Sequence, residues 1–219
     1  MTAYRDREFQ RVLNSAAIAT PDGMPVVWAL RSFGARQQAR VYGPNLMLSL
    51  CERAQDAGLR VYLYGASPET LDSLRQNLLR RCPRLTIAGV HSPPYRALTS
   101  AEDAEIVEEI RRARPDIIFV GLSTPKQEFW MSKHQAALPG TVMVGVGAAF
   151  DFHAGRLRQA PEWMQRRGLE WLFRLTAEPR RLWRRYLTIV PAFLPLWALQ
   201  LAGVIRAAED PQAEMNPVR

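Results

Sequence analysis

The chain has 219 residues and is 47% hydrophobic, enough to bury the core of one large domain or of a domain with an appendage. Its formal net charge is +8, carried almost entirely by arginine, and such a charge suits nucleic acid, a membrane surface or phosphorylated substrates. The two cysteines have no CxxC spacing and the three histidines are scattered, which excludes a zinc framework. Ordinary thiols and a polar N-terminus predict a cytosolic protein.

Helical and strand-like patterns alternate through the first 113 residues. A helix is predicted over 1–19, a turn over Thr20–Gly23, and Pro25–Leu30 fits either a strand or a buried helical turn. The elements expected next are a helix over 46–57 closed by Gly58, a strand over 60–64, a helix from Pro68 to Arg81 with Ser67 as N-cap, a strand over 85–90, and a helix to Ala113 opened by a capping box over Ser100–Asp103. This alternation predicts βαβ units, and therefore an α/β fold with a mainly parallel sheet and helices on both faces.

The central block, 114–155, has the pattern strand, loop, helix, strand. Apolar runs over 117–120 and 142–146 give the two strands, and Asp151 follows the second run in a Gly-rich corner. Open α/β sheets bind ligands at the carboxyl ends of their strands. We therefore expect this block to form the floor of a nucleotide-type pocket.

The pattern changes after residue 160. Short helices with interleaved aromatic and arginine residues are predicted over 161–168, 169–176 and 179–186. The expected organisation is a core over 1–160, a helical appendage over 161–206 and a disordered tail over 207–219.

The stretch 186–205 contains no charged residue and is as long as a bilayer-spanning helix. Pro191 and Pro195 would kink such a helix. Three interpretations stay open: a spanning helix, a kinked helix lying in the membrane interface and anchored by aromatic residues, or an apolar helix packed on the domain or in a homo-oligomer.

Motifs with an assigned chemistry are few. There is no GxSxG elbow, no Walker A loop and no Asp-x-Asp metal motif, and Gly145-Val-Gly147 is only a partial dinucleotide fingerprint. The acidic candidates for catalysis are Asp22, Glu128 and Asp151. Asp22 is also a favoured residue of a Pro-Asp-Gly turn, and Asp151 could simply cap the next element.

Two further groups have competing interpretations. Thr124 and Gln127 have capping-box spacing, while the same helix start, with Lys126, could hold a phosphate or a sugar hydroxyl. The second group is an arginine cluster that is either a solvated helix face or a site for lipid head groups or pyrophosphate; it comprises Arg180, Arg181, Arg184 and Arg185.

Taken together, these residues make the chain resemble the bacterial WecG/TagA/CpsF glycosyltransferases over roughly 15–195. Members of that family transfer N-acetylmannosamine and related sugars from a nucleotide donor to a polyprenyl-diphosphate-linked acceptor. The resemblance rests on many motifs in one order: Pro21-Asp-Gly23, Arg40-Val-Tyr-Gly43, Val61–Gly65, Gly121–Trp130 with Pro125-Lys-Gln-Glu128, Gly145-Val-Gly147 before Phe150-Asp-Phe152, Ala160-Pro-Glu-Trp163, Gly168-Leu-Glu-Trp171 and Glu178-Pro-Arg180.

The resemblance implies a Rossmann-like core and an inverting transfer that needs no metal or other cofactor. Asp22 would be the general base on the acceptor hydroxyl, and Arg40 would stabilise the leaving diphosphate. The residues implied in binding the UDP-sugar are Arg40, Gly43, Lys126, Gln127, Glu128 and Asp151. The arginine cluster would meet the acceptor diphosphate at the cytoplasmic face of the membrane.

The chain departs from the family pattern in three places. It begins after the first strand of the family, whose Thr-x-Asn element lines the pocket, so that part of the site is expected to be missing from this sequence. Asn45 stands where the family tends to have Asp, and Gln159 replaces the usual Arg before Ala-Pro. A non-catalytic nucleotide-sugar-binding homologue or assembly partner is therefore the alternative to an enzyme. A nucleic-acid-binding protein is disfavoured, because no recognised module for it is present.

Overall fold

The computed structural model describes residues 2–205, with the side chains at positions 181, 185, 189 and 190 left aside. Its helices and strands are α1 (Thr2–Arg5), α2 (Arg7–Asn14), α3 (Met24–Ser32), α4 (Gly43–Ala57), β1 (Arg60–Gly65), α5 (Pro68–Arg81), β2 (Thr86–His91), α6 (Ser100–Ala113), β3 (Ile117–Gly121), α7 (Lys126–His134), β4 (Val142–Gly145), α8 (Ala149–His153), α9 (Glu162–Arg166), α10 (Glu170–Ala177) and α11 (Pro179–Leu201).

Within the described residues, four parallel strands form one sheet in the order β2-β1-β3-β4. The register places Gly65 at the end of β1 beside Gly121 at the end of β3, and Val120 beside Gly145. The chain passes from β1 to β2 on one side and from β3 to β4 on the other. The strand order therefore reverses between β1 and β3, and this is the switch point at which such sheets bind ligands.

Helices cover both faces of this sheet, as the alternating pattern predicts. Alternate strand residues point to opposite faces. Val61, Leu63 and Phe119 pack with α4, α5 and α8 in one core cluster. Tyr62 and Ile118 belong to the second cluster, which also draws on α6 and α7. The predicted Rossmann-like α/β core is confirmed.

The predicted start of α5 and the predicted end of α4 are both confirmed. Ser67 accepts a hydrogen bond from the Thr70 amide at 3.3 Å and Pro68 opens α5, as predicted. Gly58 closes α4 with a φ of 67°, the left-handed conformation that glycine tolerates best.

Two helix predictions are wrong in their bounds: α2 ends at Asn14 and not at 19, and α6 begins one residue earlier than expected. The single helix expected over 1–19 is split, because the Asp6 carboxylate accepts from the amides of Glu8 and Phe9 and caps α2 instead of continuing the helix. The capping box of α6 pairs Thr99 with Glu102, one residue before the predicted pair. Its other candidate, Asp103, is engaged in a tertiary contact with α7.

The chain divides into two compact units. One consists of 2–22 and 40–159 and holds the sheet; the other consists of 23–39 and the described residues from 160 onward. The segment 23–39 thus groups with the C-terminal helices, whereas the sequence pattern assigns it to a core over 1–160.

The second unit is helical. Pro25–Leu30 lies in α3, so the helical alternative for this segment is the correct one. The Trp197 indole donates to the Ser32 hydroxyl at 2.9 Å, and the Gly168 backbone packs so closely on Trp28 that a Cβ would lie 2.8 Å from its ring. These contacts tie α3 to the chain around α10 and α11.

Helix α11 joins the last predicted short helix to most of the uncharged stretch and contains Pro191 and Pro195. Among residues 2–205, no helix combines the length and the apolar character needed to cross a membrane. The tail predicted over 207–219 lies outside the described residues.

Candidate active site

Close packing of glycines shapes the sheet edge at the switch point. A Cβ on Gly65 would lie 2.6 Å from the Gly121 carbonyl oxygen, and a Cβ on Gly121 would lie 2.3 Å from the Phe150 ring. Beyond these glycines the loop after β1 leads to α5 on one face, and the loop after β3 leads to α7 on the other. Open α/β sheets generally bind their ligands at this position, beyond the carboxyl ends of the strands.

Asp22 lies in a loop that is bound to the loop carrying Arg40. The Val41 amide donates to the Pro21 carbonyl at 3.0 Å. The Arg40 Nε donates to the Asp22 carbonyl, and its Nη2 lies 3.5 Å from the Asp22 carboxylate. The Asp22 side chain is 68% exposed while that of Arg40 is only 15% exposed. The arginine is therefore held within the fold, while the carboxylate beside it faces solvent.

An aromatic pair connects this loop to α8. The Arg40 guanidinium lies 4.1 Å from the centre of the Tyr42 ring, a cation–π contact. The Tyr42 ring in turn packs on Phe152 at 6.3 Å, next to Asp151 in α8. Asp151 lies inside this helix and not at its N-cap, which is Ala148, so the capping interpretation of Asp151 is wrong. Tyr42 belongs to a motif used for the resemblance, but its position between arginine and phenylalanine follows only from the fold.

The side chain of Gln127 is buried and joins the start of α7 to the end of β4 and the turn that follows it. Its Oε1 accepts from the Gly147 amide at 3.1 Å, and its Nε2 donates to Glu128 Oε1 at 3.1 Å. A Cβ on Gly145 would lie 3.1 Å from Gln127 Nε2. The glycines after β4 thus make room for this side chain. The capping box predicted for Thr124 and Gln127 is wrong, because neither side chain caps α7 and Pro125 is its N-cap.

Glu128 receives two hydrogen bonds on one oxygen. Thr124 donates its hydroxyl to Glu128 Oε1 at 2.9 Å, and Gln127 donates to the same atom. The Oε2 atom is removed from solvent and has no hydrogen-bond partner among the described residues. Lys126, the first residue of α7, is exposed beside this group. Thr124 is a site residue that the sequence pattern assigns only to capping.

A hydrogen-bonded histidine holds α8 against α4. The His153 Nε2 atom lies 2.9 Å from the Pro44 carbonyl, and the Asn77 amide donates to the His153 carbonyl at 2.8 Å. Burial lowers the pKa of His153 below its ordinary value, since its charged form is poorly solvated there. Gly43, next to Pro44, lies close to the turn after β4: a Cβ on this residue would be 3.4 Å from the Val146 carbonyl oxygen. No sequence signal identifies this histidine.

Helix α7 is held on the sheet by stacked rings and by a hydrogen bond between a buried histidine and a carboxylate. Trp130 stacks on Tyr64 with ring centres 4.2 Å apart, and the His134 ring lies 4.6 Å from Trp130. His134 Nε2 lies 3.1 Å from Asp103 Oδ2, which also receives the Lys133 ammonium. Burial alone would raise the pKa of Asp103, but these hydrogen bonds outweigh it and hold that pKa below its ordinary value.

The arginine cluster lies in the second unit, on the first turns of α11. Arg180 and Arg184 are exposed, and the Arg184 guanidinium lies 5.2 Å from the ring of the exposed Trp183. Leu182 between them is buried. Arg181 and Arg185 belong to the same helix. The two described side chains thus share an outward helix surface with an aromatic residue.

The sheet-bearing unit carries an exposed carboxylate bonded to a guanidinium, Asp22 with Arg40, and a hydrogen-bonded amide–carboxylate pair, Gln127 with Glu128. Such groups can bind a polar organic ligand and move a proton to or from it. Among residues 2–205, no three His, Cys, Asp or Glu side chains form a group that could hold a metal ion. The sheet, with its strand order reversing between β1 and β3, defines a doubly wound α/β protein.

Comparison with known proteins gives the family. The chain belongs to the WecG/TagA/CpsF family of glycosyl transferases, whose family model matches residues 1–206, and it is a glycosyltransferase of that family. It is 35% identical over 187 residues to the N-acetylglucosaminyldiphosphoundecaprenol N-acetyl-beta-D-mannosaminyltransferase of Bacillus spizizenii, which covers 85% of this chain and 70% of that protein. The enzymes of that name from Bacillus subtilis and Staphylococcus aureus are 35% and 30% identical, covering 85% and 88% of this chain and 71% and 73% of theirs.

Proposed function

We propose that this protein transfers N-acetylmannosamine or a related sugar from a UDP-sugar to a polyprenyl-diphosphate-linked acceptor, in the synthesis of a cell-envelope polysaccharide. The names of the relatives support the acceptor and the sugar, since all three transfer N-acetylmannosamine to a lipid-linked diphosphate sugar. The observation that carries the proposal for this chain is the exposed Asp22 carboxylate beside the supported Arg40.

Asp22 acts as the general base. Its carboxylate accepts the proton of the acceptor hydroxyl as that oxygen attacks the anomeric carbon, and the sugar–phosphate bond breaks on the opposite side. A direct displacement inverts the anomeric centre, which fits the β-linkage in the relatives' names for an α-linked donor. Arg40 stabilises the negative charge that develops on the leaving nucleotide diphosphate.

The donor lies along the carboxyl ends of β3 and β4. Lys126 supplies a positive charge for the diphosphate, and the carboxylates of Glu128 and Asp151 accept hydrogen bonds from neutral hydroxyl groups. Gln127 shapes this wall through its contact with Gly147. Gly43 lets the chain approach the turn after β4. No metal or cofactor has a role in these steps.

The acceptor is bound at the cytoplasmic face of the membrane. Arg180, Arg181, Arg184 and Arg185 attract its diphosphate and the anionic head groups around it. The exposed Trp183 suits the interface, because an indole ring is partly apolar and partly polar.

Transfer in detergent tests the proposal. The full chain is incubated with radiolabelled UDP-N-acetylmannosamine and polyprenyl-diphosphate-linked N-acetylglucosamine, and the lipid fraction is counted. We expect label in the lipid, dependent on both substrates. Binding of the donor without any labelled lipid would contradict the enzyme proposal and favour the non-catalytic nucleotide-sugar-binding homologue.

A further inference from the structure

The Arg40 guanidinium contacts an aromatic ring as well as the loop that carries Asp22. Its Nε donates to the Asp22 carbonyl, and its Nη2 lies 3.5 Å from the Asp22 carboxylate. Its Cζ lies over the Tyr42 ring, 4.1 Å from the ring centre. An aromatic face attracts a cation, and the attraction is stronger where water is excluded, as around this largely buried arginine. The ring therefore contributes to holding the guanidinium in place.

Tyr42 is itself held by helix α8. It is the N-cap residue of α4, and it is only 7% exposed. Its ring packs on Phe152, with ring centres 6.3 Å apart. Two residues further along the chain, the Pro44 carbonyl lies 2.9 Å from His153 Nε2. Consecutive residues of α8 thus hold the start of α4, so the position of the Tyr42 ring is set by the fold and not by a ligand.

The orientation of a guanidinium decides which charges it stabilises. Its N–H donors form a rigid planar fork, whereas the ammonium group of a lysine can rotate its donors. An aromatic ring against the face of that plane restricts its rotation, because turning the plane breaks the contact. Donors that are aligned before the charge develops lower the barrier, since they need no reorganisation during the reaction. The contact with Tyr42 therefore has a consequence for rate as well as for stability.

We propose that Tyr42 is a positioning residue for the transfer reaction: its ring orients the Arg40 guanidinium toward the diphosphate that leaves with the nucleotide. This inference rests on the proposed function, in which Arg40 stabilises the charge on that diphosphate. Tyr42 acts through Arg40 and is not required to touch either substrate. The resemblance to the family gives roles to Arg40 and Gly43 but none to the tyrosine between them, whose contacts follow from the structure.

A double-mutant cycle on turnover tests the inference. The kcat and the KM for UDP-N-acetylmannosamine are measured for the unaltered chain, Tyr42→Leu, Arg40→Gln and the double variant, with the lipid-linked acceptor. Tyr42→Phe is the conservative variant, because it keeps the ring. The control is Ile110→Ala, which removes a buried side chain from the core cluster on the opposite face of the sheet. Tyr42→Met replaces Tyr42→Leu if that variant fails to fold.

We expect Tyr42→Leu to lower kcat by about 5-fold to 30-fold, the range of a shielded cation–π contact. The change in KM should be smaller, because the charge on the diphosphate is greatest in the transition state. In the Arg40→Gln background the same substitution should change kcat by less than about twofold, since the group that the ring orients is gone. Tyr42→Phe should keep kcat within about threefold. The distant Ile110→Ala should do the same, although it destabilises the fold.

Three outcomes would overturn the inference while the unaltered chain still transfers sugar, and each leaves the enzyme proposal intact. The first is a loss of kcat by the same factor with and without Arg40, which would mean that Tyr42 only supports the fold. The second is an equal loss in Tyr42→Phe and Tyr42→Leu, which would exclude the ring as the cause. The third is an unchanged kcat in Tyr42→Leu. If the unaltered chain transfers no sugar, the proposed function fails and the inference fails with it.

Discussion

Gln127 is the residue through which the start of α7 contacts the chain after β4. Its amide links Gly147 after β4 to Glu128 at the start of α7, and both contacts are partly buried. Gly145 leaves the space it fills. A small side chain in place of Gly145, or an apolar one in place of Gln127, would therefore disturb the same contact between α7 and the end of β4.

Replacing Gln127 by leucine should cost about 1–3 kcal/mol of unfolding free energy, because the Gly147 amide and Glu128 Oε1 each lose a bond in a buried place. Chemical denaturation measures this cost. Gln135→Leu, at the exposed end of the same helix, should change the stability by less than about 0.5 kcal/mol. Equal effects of the two substitutions would contradict the role given to Gln127.

The glycines of this region show why sequence alone predicts the site only in part. Gly145-Val-Gly147 looks like an incomplete dinucleotide fingerprint, yet its glycines accommodate Gln127 from another element. The carboxylates were identifiable by type and motif. Their partners in distant segments, Arg40 for Asp22 and Gly147 for the neighbouring Gln127, depend on the three-dimensional fold. Whether Glu128 contacts the donor stays a prediction.

At the scale of elements, local signals gave the sheet and most helices, and tertiary contacts decided the rest. Ser67 marks a helix start because its side chain caps an amide of the first turn, and Gly58 marks a helix end because it adopts the left-handed conformation there. The start of α6 shifts by one residue since Asp103, a plausible capping residue, is taken by His134. Periodicity cannot reveal a partner 31 residues away.

The contact between α6 and α7 should be a main support of the site. Asp103→Asn leaves His134 and Lys133 beside a neutral amide, and we expect a loss of about 1–3 kcal/mol, the range for hydrogen bonds to a charged group. Urea denaturation of this variant is compared with that of Glu108→Gln, whose exposed pairs should be worth at most about 1 kcal/mol. A smaller loss for Asp103→Asn than for the control would refute this assignment.

The hydrogen bond of His153, which holds α8 against α4, should make the stability of the fold depend on pH. The folded state holds the pKa of His153 below 6.5, so below pH 6.5 the unfolded chain binds more protons at this residue. Its contribution to stability should therefore decline as pH falls from about 6.5 through the lowered folded pKa, and be constant above that window. His153→Gln should flatten this part of a curve of unfolding free energy against pH; an unchanged slope would exclude His153 as its source.

At the scale of the whole chain, the least predictable feature is that 23–39 belongs with the C-terminal helices. Its apolar composition fits a strand of the sheet as well as a helix. The hydrogen bond from Trp197 to Ser32, which holds this segment to the C-terminal helices, joins residues 165 positions apart. Nothing in local sequence indicates such a pairing.

The arginine surface of α11 should bind anionic membranes. Changing Arg180 and Arg184 to glutamate should weaken sedimentation with phosphatidylglycerol vesicles by about tenfold or more, since each arginine contributes about 1 kcal/mol near such a surface. The same two charge changes at the exposed Arg53 and Arg75 of the sheet-bearing unit serve as control. Binding of the unaltered chain should also fall with added salt. Equal losses in both variants would mean that net charge alone attracts the protein.

The most direct test of the account is the role of Asp22. Transfer from UDP-N-acetylmannosamine to the lipid-linked acceptor is measured for the unaltered chain, Asp22→Asn and Asp56→Asn, an exposed aspartate paired with Arg84. We predict that Asp22→Asn lowers kcat by about 10²–10⁴-fold, the range for a general base. Its donor dissociation constant should stay within a few-fold, and Asp56→Asn should be fully active. An Asp22→Asn enzyme with undiminished kcat would contradict the central claim.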